Sequence, residues 1–146
     1  MKTCITLAIH EMVWRMDAAA DGILLKAHGI EFELARVLMT LRVEQPCSQR
    51  RLAAKLGITP AAITRSLPRY LEAGWIVVNV DPKQPRRNLL QLTAAGSELA
   101  DTCWQTLETA FHDLLSEAQI APEPFTESIL RICTLLSPET KKEGCN

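Results

Sequence analysis

Between Arg42 and Arg87 the chain concentrates its positive charge. Nine basic residues stand there (Arg42, Arg50, Arg51, Lys55, Arg65, Arg69, Lys83, Arg86 and Arg87) against three acids (Glu44, Glu72 and Asp81), a net +6. The remaining residues hold seven basic and fourteen acidic side chains, net −7, so an overall charge of −1 hides a basic middle between acidic flanks. Guanidinium and ammonium groups gathered in this way pair with phosphate, and a guanidinium can also grip guanine through two parallel hydrogen bonds. Ser48, Gln49, Thr59 and Thr64 interleave with these cations and can bond the same partners. Ala61 and Ala62, small and next to Thr64, let a backbone come close to another surface. This is the chemistry of recognising a polyanion. Catalysis has no comparable constellation: the sequence shows no paired carboxylates, no nucleophile triad and no glycine-rich phosphate loop, so an enzyme is not expected.

The elements that must position these residues can be read from hydrophobic spacing and punctuation. Ile5, Ile9, Met12, Val13, Met16 and Ala20 recur at helical intervals and predict a helix from Thr6 to about Lys26, with Gly29 as its C-cap. A second helix is expected from Glu31 to Val43, closed by Pro46. Ser48 offers an N-cap for the short helix QRRLAAKL, stopped by Gly57. Thr59 caps the next helix, Pro60 takes its first position, where a missing amide costs nothing, and Gly74 ends it. WIVVNV is rich in β-branched residues and predicts a strand, DPKQP a turn or loop, and LLQL a return strand. Helices from Thr93 to Glu117 and from Phe125 to Leu136 follow, with APEP as the interruption between them.

The order helix, helix, helix-turn-helix, hairpin, long helix, helix gives the fold class: mainly α with a small β-hairpin wing, a winged helix-turn-helix flanked by long dimerisation helices. The whole chain, 1–146, is expected to be one domain, with residues 30–96 as the DNA-binding part and 1–29 and 97–146 as the helical dimerisation part. In the helix after Thr59, Ile63, Leu67, Tyr70 and Leu71 fall on one face, whereas Ala61, Thr64, Arg65, Pro68 and Arg69 fall largely on the other. That second face would meet DNA, with Thr64 and Arg65 toward base edges or phosphates. Ser48 and Gln49 suit phosphate contact, and Lys83, Arg86 and Arg87 sit at or near the hairpin tip, where a wing enters the minor groove. Pro68 inside this helix predicts a bend or a shortened first half rather than loss of the helix.

The stretch SQRRLAAKLGITPAAITRSLPRYLEAGWIVVNVDPKQPRRNLLQLTAAG, residues 48–96, resembles the MarR family of bacterial transcription regulators. S-Q-x-x-L-A-x-x-L-G-I, I-T-R, L-E-A-G-W-I, D-P…R-R and L-T-A-A-G carry the resemblance together, in this order and spacing. It implies a homodimer with interlocking terminal helices, binding a pseudo-palindromic operator on double-stranded DNA as a repressor that a small effector such as an aromatic acid relieves. A pocket for that effector would draw on His10, Trp14, Arg15, Arg36 and Trp104; the alternative for the two tryptophans is packing in a core or dimer contact. Two departures stand out. Pro85 occupies the place where the family's wing carries an acid before the paired arginines, so an orienting carboxylate is missing, and Pro68 stands where a helix former is usual. Hydroperoxide-sensing relatives carry a reactive first-helix cysteine near tyrosines; here that stretch holds Met12 and Val13, which disfavours the mechanism.

The five cysteines form no C-x-x-C pair, Cys103 and Cys133 fall on apolar stripes where inert buried thiols are expected, and no two histidines sit at i, i+3 or i+4. Neither a metal nor a cofactor is expected, and a reducing cytoplasm fits this cysteine usage. The rival reading is a winged helix serving as a protein-interaction module without specific DNA binding. Such a module would not need cations on both the recognition helix and the wing.

Overall fold

In a computed structural model, residues 3–137 are described. Six helices and one hairpin follow in the order α1 (Ile5–His28), α2 (Phe32–Glu44), α3 (Gln49–Leu56), α4 (Pro60–Glu72), β1 (Ile76–Asp81), β2 (Gln84–Leu92), α5 (Ala94–Glu117) and α6 (Pro122–Leu136). The mainly helical fold with a two-stranded antiparallel wing is the one expected. The chain divides into two compact units, Met1–Leu107 and Glu108–Asn146, with the boundary inside α5. Cys145 and the polar tail from Pro138 onward lie outside the described residues.

The punctuation works as read. Ser48 Oγ accepts from the Arg51 amide at 3.2 Å and Thr59 Oγ1 from the Ala62 amide at 3.2 Å, so each hydroxyl satisfies a helix-start donor that would otherwise lack a partner. Gly57 closes α3 at φ 68° and Gly29 closes α1 at φ 67°, the left-handed region that glycine enters without a Cβ penalty. One cap came from outside the local sequence: Glu31 precedes α2 without capping it through its side chain, and Asp21 of α1 accepts from the Phe32 amide at 2.9 Å instead.

Leu34, Leu38 and Leu41 of α2, Leu52 of α3, Ile63 and Leu67 of α4, and Ile76 and Leu90 of the hairpin form the main core of the first unit. A smaller cluster joins Leu24 of α1 and Ala35 of α2 to Cys103 of α5. The hairpin is rooted in this core. Cys47 and Leu90 exchange both backbone hydrogen bonds, at 3.2 and 2.8 Å, and Gln45 Oε1 accepts from the Leu92 amide at 2.8 Å. At the same end of the hairpin, Thr93 Oγ1 donates to the Gly74 carbonyl at 2.6 Å and accepts from the Gly96 amide at 3.0 Å, which starts α5. Gly96 lies so close to the Trp75 carbonyl that a Cβ there would run into it, which gives the glycine of L-T-A-A-G a packing reason.

Several expectations need correction. Pro68 does not shorten the first half of its helix: α4 runs from Pro60 to Glu72. The buried Ile63, Leu67 and Tyr70 hold it on the inner side, against an interior-proline cost of about 3 kcal/mol. Leu71, assigned to that inner face, is 41% exposed. The return strand is longer than LLQL and begins at Gln84. Val80 pairs with Asn88 but Asp81 with Gln84, so residues 85–87 have no opposite number on β1. A proline in such a bulge gives up no ladder bond, which is why Pro85 did not mark a loop. Likewise α6 starts at Pro122 rather than Phe125, because prolines in a first turn lose no helical hydrogen bond. Among the described residues, the apolar stripes of the chain ends stay uncovered. Ile5, Ile9, Met12 and Val13 of α1 are exposed, α6 buries no residue fully, and Cys133 on it is exposed, whereas Cys103 is buried as expected.

Candidate nucleic-acid interface

The outward side of α4 carries Ala61, Thr64, Arg65, Pro68 and Arg69, all exposed, with Ala62 half-buried beside them. Behind them Tyr70 is buried, and burial pushes its phenol up to about 12, so the inner face of the helix stays uncharged. Gln49, the first residue of α3, meets Thr64 across the turn: the single Thr64 Oγ1 proton faces two acceptors, Gln49 Oε1 at 3.0 Å and the Pro60 carbonyl at 3.1 Å. Thr59 and Ser48 belong to the same surface, but their hydroxyls serve as caps.

The nine cations of the basic middle divide into two groups. Arg42 is held by Asp101 at 3.0 Å, Arg51 and Lys55 by Glu44 at 2.7 and 3.3 Å, Arg69 by Glu31 at 3.3 Å, and Arg87 by Asp81 at 3.7 Å. The Arg51 hydrogen bond, with help from Lys55, holds the Glu44 carboxyl below its usual range. Arg50, Arg65, Lys83 and Arg86 have no ion pair or side-chain hydrogen bond among the described residues. These four are distributed over α3, α4 and the wing.

Asp81 answers the question raised by Pro85. It is 8% exposed, accepts from the Lys83 amide at 2.9 Å through one oxygen and faces Arg87 through the other. The carboxylate missing before the arginines is thus supplied from the opposite strand, and it anchors the turn as well. Asp81 was not among the residues singled out from the sequence, although D-P in the wing motif signals it. Arg50 was also passed over; its charge counted toward the basic middle, but nothing in the sequence distinguished it from the paired Arg51.

The five candidate effector residues stand on three helices, α1, α2 and α5. His10, Trp14 and Arg15 stand on the exposed first half of α1, where Arg15 bonds Glu11 at 2.7 Å and lies 6.0 Å from the Trp14 ring. Arg36 donates to the Leu56 carbonyl at 3.3 Å, and Trp104 on α5 is 42% exposed. An open cavity of about 530 Å³ lies elsewhere, in the second unit, between His112 and the α6 face that runs from Pro122 to Thr134. Among the described residues no cluster of His, Cys, Asp and Glu could hold a metal ion, and no helix is long and apolar enough to cross a membrane.

A helix-turn-helix with a small, polar outer face on its second helix, followed by a cationic hairpin, defines a winged helix-turn-helix protein. Residues 33–86 match the MarR family model. The multiple antibiotic resistance protein MarR of Escherichia coli is 28% identical over 91 residues, which span 62% of this chain and 63% of that protein. A mutant of E. coli MarR complexed with operator DNA superposes with a TM-score of 0.73 at 21% identity, covering 91% of this chain and 94% of that one. The Staphylococcus aureus MepR–DNA complex gives 0.72 at 20% identity, covering 92% and 98%. The fold is the one these two DNA-bound structures share.

Proposed function

We propose that this chain is a sequence-specific DNA-binding regulator, a cytoplasmic homodimer that represses from a pseudo-palindromic operator and is released by a small-molecule effector. The observation that carries the DNA reading is the division of the cations. Carboxylates hold Arg42, Arg51 and Lys55, whereas Arg50, Arg65, Lys83 and Arg86 stand unpaired on the elements that a winged helix presents to a duplex. Arg65, with Ala61, Ala62, Thr64 and the more distant Arg69, faces the major groove. Arg86 and Arg87, with Lys83, reach the minor groove, and Ser48, Gln49 and Thr59 border the phosphates.

Residues 30–96 act as the DNA-binding part, and 1–29 and 97–146 as the dimerisation part. Homodimerisation is supported by large apolar side chains left open at both chain ends: Ile5 75%, Leu7 69% and Trp14 67% exposed on α1, Leu135 72% and Leu136 75% on α6. Because His10, Trp14 and Arg15 share that open helix, an effector site built on them needs the second copy to complete it.

The test is titration of fluorescent duplexes at rising salt. Binding is expected to weaken steeply with salt on any sequence, with a selected duplex held more tightly throughout. A protein that shows no preference among duplexes drawn from a random-sequence library would overturn the sequence-specific reading.

A further inference from the structure

Thr64 is the obvious base-reading hydroxyl of α4, yet its proton is already engaged. A hydroxyl has one proton, and both groups within reach of Thr64 Oγ1, Gln49 Oε1 at 3.0 Å and the Pro60 carbonyl at 3.1 Å, are acceptors. Thr64 therefore has no donor left for a phosphate oxygen or for guanine, which offers only acceptors in the major groove. The bond has the opposite effect on Gln49. With its carbonyl accepting from Thr64, the Gln49 side chain keeps an amide NH2 that has no partner among the described residues. Two donors with no local acceptor match phosphate oxygens. Gln49 also stands on the first helix of the helix-turn-helix, the one that crosses the DNA backbone.

We propose that Gln49 is the phosphate-contacting group of this pair and that Thr64 is a positioning residue that acts through it, an assignment that rests on the DNA-binding reading above. Thr64 then contributes affinity without sequence preference, and the preference comes from Arg65. Gln49 and Thr64 form one unit, so removing the hydroxyl matters only while the amide is present to be oriented.

The experiment uses the full chain with two probes, a duplex that the protein selects from a random-sequence library and a scrambled duplex of the same length, at one fixed salt. Gln49→Ala is expected to weaken both by about tenfold, the scale of a hydrogen bond to a charged group. Thr64→Val, which keeps the shape and loses the hydroxyl, is expected to weaken both by about threefold, Thr64→Ser to bind like the parent, and Gln49→Ala with Thr64→Val to bind no worse than Gln49→Ala alone. Losses that multiply in the double variant, a Thr64→Val loss confined to the selected duplex, or a neutral Gln49→Ala overturns the assignment while the DNA reading stands. A parent protein that binds neither duplex at low salt overturns both.

Discussion

The winged-helix core and the chain ends bury apolar residues to very different degrees. In the core Leu38, Leu41, Leu52, Ile63 and Leu90 are almost wholly removed from water, and every strand or helix has a partner in the same chain. On the first half of α1 and along α6, side chains of the same chemistry at the same helical spacing stay open. Hydrophobic periodicity reports that a face must be covered; it does not report by which molecule. The core is complete within one chain, whereas the described residues leave these end faces uncovered.

The strongest way to break this contrast is to make one substitution in both regions. Leu38→Ala is expected to lower unfolding free energy by about 2–5 kcal/mol, as buried leucines do. Leu135→Ala should leave the single chain's stability within about 0.5 kcal/mol, as exposed positions do, and shift the dimer toward monomer in sedimentation. Equal thermal losses at the two positions would remove the distinction. Next in size is Gly96→Ala, where a methyl group meets the Trp75 carbonyl rather than a side chain that can swing away. About 3 kcal/mol of destabilisation is expected, since backbone must move, and a chemical denaturation midpoint reports it. Arg65→Ala sharpens the functional side of the contrast. A base-reading guanidinium contributes roughly 1–3 kcal/mol of discrimination, so the variant should lose more on a selected duplex than on a scrambled one, with melting unchanged.

The smallest effect belongs to the Glu44 cluster. Its folded-state carboxyl titrates below the usual value because Arg51 and Lys55 hold the charged form. The stability it adds is complete above that usual value and is lost as pH falls through the lowered one. Such an exposed cluster contributes at most about 1 kcal/mol. Glu44→Gln should therefore flatten the acid limb of a stability–pH curve and leave the neutral-pH plateau slightly lower.

What could be read in advance follows from how local the cause is. Ser48, Gly57, Thr59 and Pro60 act within four residues of themselves, so α3 and the start of α4 were legible residue by residue. The inner face of α4 was legible at Ile63, Leu67 and Tyr70 and not at Leu71, which lies at the helix end where the core no longer reaches. Pro85 and Pro122 were misleading because a proline's cost depends on whether its amide was needed, and that depends on the register of a partner strand or the position in a helix turn. Of the candidate site, the surface was legible and its internal bonding was not. That Asp81 faces Arg87, Asp21 caps α2 and Thr64 donates to Gln49 are facts of distance between segments, and spacing along a chain does not encode them.

The hairpin's two moorings have a mechanical consequence. Both lie at its base: β2 is tied through the paired bonds of Cys47 and Leu90, and β1 through the Trp75 amide to the Tyr70 carbonyl at the end of α4. A helix and a ribbon mounted on one stiff bracket cannot adjust the span between what each touches. Such a bracket behaves as a gauge of pitch: on a double helix wound too tightly or too loosely, one probe seats while the other misses. Circles of identical sequence and different superhelical density are therefore expected to be bound unequally, and competition between relaxed and supercoiled plasmids would measure it.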